Sequence, residues 1–168
     1  MKAGEIVALA QEAAKAAIKP GLSTLELDRI CEEVIRANGA TPSFKGLYGF
    51  PNACCISVNN VLVHGIPSSE TILKEGDIVS VDIGACYKGY HGDSAWSYAV
   101  GEISDDAKKL MEVTEQSLYE GLKMAKAGNR LTDISHAIET HVYANGFSIP
   151  QEYTRHGIGT ELHEDPIV

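Results

Sequence analysis

The 168-residue chain has little that would send it to a membrane, a nucleic acid or an oxidising compartment. No apolar run approaches the ~18 residues that a spanning helix needs. Met1-Lys2-Ala3-Gly4-Glu5 opens directly into helical periodicity, without a basic and then apolar leader. Basic residues are outnumbered, 14 Lys and Arg against 23 Asp and Glu, and the net charge of −9 is not gathered in a tail, so no electrostatic footprint for nucleic acid is present. The expectation is a soluble, cytoplasmic protein with no membrane and no direct nucleic-acid partner. Cysteine is scarce, and Cys31, Cys54, Cys55 and Cys86 form no Cys-x-x-Cys, which excludes a zinc knuckle or dithiol redox motif and leaves reduced thiols. Aromatics are only 7% of the chain, so aliphatic side chains must build the core. They are sufficient: 44% hydrophobic and 22% charged is the profile of one globular domain, expected to span residues 1–168.

Residues 4–18 place Ile6, Leu9, Ala13 and Ala17 on one stripe of a helix that Pro20-Gly21 stops. Ser23-Thr24-Leu25-Glu26 is a capping box that opens a second helix ending at Asn38-Gly39. Residues 40–53, with Pro42, Gly46, Gly49 and Pro51, read as a long loop. Cys54 to Val58 and Val61 to Val63 read as short strands around Asn59-Asn60, and residues 79–87 and 90–100 as two longer strands joined at Lys88-Gly89. Ser104-Asp105-Asp106 starts a third helix reaching about Lys126, and a fourth runs from Thr132 to Asn145-Gly146. The helix pairs repeat at a spacing of 107: Gly21 falls on Gly128, Glu32 on Glu139, and Ala37-Asn38-Gly39 on Ala144-Asn145-Gly146. Chance likeness of two amphipathic helices is the alternative, but the matched turn and cap favour duplication. The long strands then call for counterparts near 185–207, so the second half is expected to be incomplete at Val168.

Asp82 and Asp93 stand in otherwise apolar strands. A two-residue loop at Lys88-Gly89 pairs Tyr87 with Tyr90 and therefore Gly84 with Asp93, which puts both carboxylates on one face as diagonal neighbours, roughly 7–8 Å apart at Cβ. Like charges so placed call for a cation or a shared proton, and a pair of divalent ions is the common remedy. The alternative is that one Asp faces solvent at a bulge. His64-Gly65-Ile66-Pro67 precedes this hairpin, and Arg155-His156-Gly157-Ile158-Gly159 follows it. Either histidine alone would most simply be a satisfied core residue; two aspartates and a histidine from separate segments favour a metal.

The segments KPGLSTLELD, CISVNNVLVHGIPS, LKEGDIVSVDIGACYKGYHGDSA and HGIGTELHEDP together resemble the type I methionine aminopeptidases over essentially the whole chain. The resemblance implies an α+β pita-bread fold of two pseudo-symmetric halves. It also implies removal of N-terminal methionine from nascent peptides by a dinuclear divalent metal site, with cobalt, manganese, iron, zinc or a similar ion. It makes Asp82, Asp93 and His156 metal ligands, Asp93 bridging the ions. His64 and His163 become the catalytic imidazoles at the scissile bond, and Phe44, Phe50, Cys55 and Leu162 the apolar methionine pocket, for which ordinary core packing is the alternative. The family's remaining two ligands are glutamates of later strands, beyond residue 168, so the 168-residue polypeptide alone is expected to be inactive or weak. Arg155 stands where the family carries glycine beside the ligand histidine, Leu47-Tyr48 replaces the common Tyr-His, and Trp96 takes a position that is more often small or basic. A non-catalytic pita-bread interaction module and a proline-specific peptidase of the same fold are the competing readings. An uncovered strand edge is expected, open to self-association or a complementary chain.

Overall fold

Two helices and an antiparallel sheet form most of the molecule's ordered core, in a computed structural model that describes residues 1–151 and 153–167. The first compact unit comprises Met1–Ile103 and Ile158–His163; the second holds Ser104–Gly157 and the chain from Glu164 on.

In the first unit, helices α1 (Lys2–Ala17) and α2 (Thr24–Ala37) precede a two-residue strand β1 (Thr41–Pro42) and a 3-10 turn at Leu47–Gly49. Strands β2 (Cys54–Val58), β3 (Ile78–Tyr87) and β4 (Tyr90–Ala99) follow. The Ser23 hydroxyl caps α2 by accepting from the Glu26 amide at 3.1 Å, which is one arm of the expected capping box. β3 is central: β4 pairs along one side, and β2 and β1 pair along the other, all antiparallel. Period-2 alternation divides β3 cleanly. Val79, Val81, Ile83 and Ala85 are fully buried with Ile6, Val7, Ala10 and Ala14 of α1 and Leu27, Cys31 and Ile35 of α2. The even-numbered residues, Asp82 among them, therefore lie on the face away from the helices.

Two polar side chains bolt this unit together. Gln11, buried on α1, donates from Nε2 to the carbonyls of Val81 (3.0 Å) and Ser94 (2.9 Å) and accepts the Tyr98 hydroxyl at 2.9 Å. Asp28 of α2, 3% exposed, accepts the amides of Ala53 and Cys54 and the Asn52 side chain at 2.9–3.0 Å, which fixes where β2 begins.

The second unit carries α3 (Asp105–Met124), α4 (Leu131–Ala144) and the small strands β5 (His156–Gly157) and β6 (Glu164–Ile167). The repeat is visible in the helix bounds: Thr24–Ala37 and Leu131–Ala144 are 107 apart at both ends (24 to 131, 37 to 144), and α1 and α3 end 107 apart (17 to 124). Among the described residues α3 and α4 are followed by no counterpart of the β3–β4 hairpin.

The sequence expectation fails at Val61–Val63, which is not a strand. Asn59 adopts a left-handed backbone at φ 52, and its side chain donates to Asp77 (2.8 Å) and accepts from the Ile78 amide (3.0 Å), tying the turn to the start of β3. The returning segment meets β2 only near Gly65, which accepts the Ile56 amide at 2.8 Å, and Val61, Leu62 and Val63 stay exposed. The 40–53 loop does contain structure, β1 and the 3-10 turn, and α4 begins at Leu131 because Asp133 accepts the Arg130 amide at 2.8 Å.

Candidate metal centre and apolar pocket

The hairpin that carries the carboxylates is set by its turn. Lys88 (φ 52) and Gly89 (φ 81) both take the left-handed backbone of a two-residue type I′ link, which matches the twist of paired strands. Tyr87 then faces Tyr90, Gly84 faces Asp93, and Asp82 faces Ala95 on one side and Cys55 of β2 on the other. Asp82 and Asp93 are thus diagonal neighbours on the face opposite the helices, both half-buried.

The charge of this face is felt by its thiol. Burial first, and then the negative fields of Asp82, Asp93 and Asp28, push the Cys55 thiol up to about 12. A surface with such a field and two hard oxygen donors is chemically suited to a divalent cation, which offsets the cost of half-burying two like charges. His156 belongs to the second unit, where β5 pairs with β6 across a bulge. Its Nδ1 lies 2.9 Å from the Gly157 carbonyl. A carbonyl only accepts, so Nδ1 is the donor in this bond. Among the described residues no group of three or more His, Cys, Asp or Glu side chains forms a metal-holding cluster; the sheet brings together the two aspartates.

Beside the carboxylates lies a small apolar cluster. Phe44 (8% exposed), Cys55 (6%) and Leu162 (6%) pack together, with Leu47 and Phe50 against them. The four pocket residues named from sequence are therefore neighbours, and Leu47 joins them. Gly84 makes this possible: a Cβ there would lie 2.6 Å from Phe44 Cε1, so only glycine lets the ring rest on the sheet beside Asp93. His64 sits exposed at φ 58, one residue before Gly65, whose close approach to the Ile56 carbonyl fixes the segment. His163 is also exposed and directly follows Leu162.

Sequence reasoning missed two residues at this face. The Ser43 amide donates to the Gly84 carbonyl at 2.9 Å, and the Ser43 hydroxyl shares a 2.9 Å hydrogen bond with His91 Nδ1. His91 was detectable in principle, since it lies two residues before Asp93 on the same side of the strand.

Residues 1–168 match the family described as Metallopeptidase family M24. The chain belongs to that family. This M24 chain is 61% identical over 165 residues to methionine aminopeptidase 1 of Bacillus subtilis, covering 98% of itself and 66% of that protein. It superposes on the solved methionine aminopeptidase of Thermotoga maritima with a TM-score of 0.97 at 44% identity, covering 99% of this chain and 67% of the other. The prolidase of Pyrococcus furiosus gives 0.87 at 26% identity, covering 99% and 48%. The fold is the α+β pita-bread fold of these peptidases. The M24 chain spans about two thirds of the length of the methionine aminopeptidases it matches, and its family name implies divalent metal ions.

Proposed function

We propose that this chain carries part of the active site of a methionine aminopeptidase acting in the cytoplasm on nascent peptides that begin with methionine. The observation that carries the reading is the pair Asp82 and Asp93, side by side on one sheet face next to the Phe44, Cys55 and Leu162 cluster. Asp82, Asp93 and His156 would hold the divalent ions. When bound, those ions supply an activated water and polarise the scissile carbonyl. The protein's own part is to position and to exclude water: Phe44, Phe50, Cys55 and Leu162 enclose the thioether side chain, and His64 and His163 hydrogen-bond the peptide at the reacting carbonyl. The higher likeness to the methionine enzymes than to the prolidase supports methionine over proline specificity.

The test is a Mn²⁺ titration of the 168-residue polypeptide by calorimetry. Binding is expected, and Asp82→Asn and Asp93→Asn should each weaken it by about tenfold or more. Binding that ignores both substitutions, or none at all, favours a non-catalytic interaction module. The two further glutamates implied by the resemblance are not in this polypeptide, so release of methionine from a Met-Ala-Ser peptide with Co²⁺ or Mn²⁺ is expected to be very slow. Among the described residues β4 pairs only with β3, and its outer edge is where a second copy or a complementary chain would add; light scattering separates these from a monomer.

A further inference from the structure

Three segments distant in sequence meet at His91. Its ring shares the 2.9 Å hydrogen bond with Ser43, the residue before Phe44. Its backbone N–H donates to the Gly159 carbonyl at 2.8 Å, at the head of the stretch that carries Leu162 and His163. It faces Cys86 across the hairpin and lies on the same side as Asp93. Phe44 and Leu162 are two of the three buried members of the apolar cluster, and the third, Cys55, faces Asp82 across β2 and β3. The loop bearing Phe44 is otherwise held by the Ser43 amide bond to Gly84, the short pairing of β1 with β3, and an ion pair from Lys45 to Glu32 of α2 at 2.8 Å, whose lysine side chain is half exposed and so a weak restraint. A ring clamped by a single turn of loop will swing unless something locks its neighbour.

We propose that His91 is the latch of this pocket, a positioning residue whose imidazole holds Ser43 and so keeps the Phe44 ring seated over Gly84 and Cys55. Its importance to the reaction rests on the reading of the cluster as the methionine pocket. The latch itself does not: it is a statement about what closes the wall over Cys55, and Cys55 reports it. The main-chain bond to Gly159 survives any side-chain change at 91, so substitutions there test the Ser43 arm alone.

The experiment compares wild type, His91→Ala, His91→Asn, Ser43→Ala and the double variant H91A/S43A. Each is treated with N-ethylmaleimide at one fixed pH, and the modification rate of every cysteine is read by peptide mass mapping. Asn carries an amide nitrogen close to where Nδ1 stands and can keep the bond to Ser43. Cys55 should be modified about tenfold faster in His91→Ala than in wild type, the factor that ~1.4 kcal/mol gives in a local opening equilibrium. Cys31 and Cys54, buried in the main core on the other face, should keep their wild-type rates. His91→Asn should remain close to wild type, Ser43→Ala should match His91→Ala, and the double variant should add nothing, as expected for two ends of one bond. An unchanged Cys55 rate in His91→Ala overturns the latch. So does acceleration of all three cysteines together, which would mean a loss of global stability. A Met-Ala-Ser peptide added to wild type tests the pocket reading separately: protection of Cys55 supports it, and no protection removes it while leaving the latch result intact.

Discussion

Gly84 has no side chain because Phe44 fills the space one would need. A Cβ there lies 2.6 Å from the ring and 2.9 Å from Ser43 Cβ, and a packed wall yields little. Gly84→Ala should therefore cost about 1–3 kcal/mol in urea denaturation and loosen the contact between Phe44 and Cys55. The thiols and Tyr98 give a second expectation. Cys55 and Tyr98 are each pushed up to about 12, chiefly by burial, and Cys54 is raised by its hydrogen bond to Cys31 and by burial. Each keeps its proton in the folded chain at a pH where the unfolded chain has released it. This stabilisation is complete below the ordinary thiol value of about 8.5 and is lost as pH rises toward about 12. The urea midpoint should fall across that window, and Cys55→Ala should flatten the fall; a midpoint that climbs with pH would contradict the assignment. At this scale the carboxylate pair was legible from sequence, since strand alternation and a two-residue loop fix which side chains share a face. The His91 contact was not, because its partner Ser43 is 48 positions away and only the fold brings them together.

Elements were readable where their ends carry chemistry. Ser23 and Ser104 cap α2 and α3 with side-chain bonds to the third residue on, as their sequence positions foretell. Val61–Val63 misled because β-branched composition describes a residue that suits a sheet, whereas a strand exists only if a partner edge is available. β3 already has β4 on one side and β2 with β1 on the other, and the returning chain reaches the outer edge of β2 only near Gly65. Between elements, Gln11 does what apolar packing alone does not: its amide spans β3 and β4 from α1 and holds the two strands at the residues next to Asp82 and Asp93. Gln11→Leu keeps the volume but removes the amide's bonds to the Val81 and Ser94 carbonyls and leaves the Tyr98 hydroxyl only its longer bond to the Gln11 main-chain carbonyl, at 3.3 Å. A loss of about 1–3 kcal/mol is expected by thermal or urea unfolding, with Mn²⁺ affinity falling alongside it.

For the molecule as a whole, the duplicated helix pairs were legible because their lengths and caps recur, but their depth of burial was not. α1 and α2 bury eleven residues between them, against three in α3 and one in α4. Amide exchange followed by mass spectrometry should accordingly find β3 slowest and α3 and α4 substantially faster; equal protection would show that the second unit is held as firmly as the first. His156, proposed as a ligand, lay outside any periodicity argument, since it comes from a short bulged strand in the second unit. One small feature governs the rest. The link from Tyr87 to Tyr90 is two residues long, and because side chains alternate, a single insertion at that tip would carry one carboxylate through to the helix side. Evolution can therefore change the letters at 88 and 89, within what a left-handed backbone tolerates, far more readily than it can change their number.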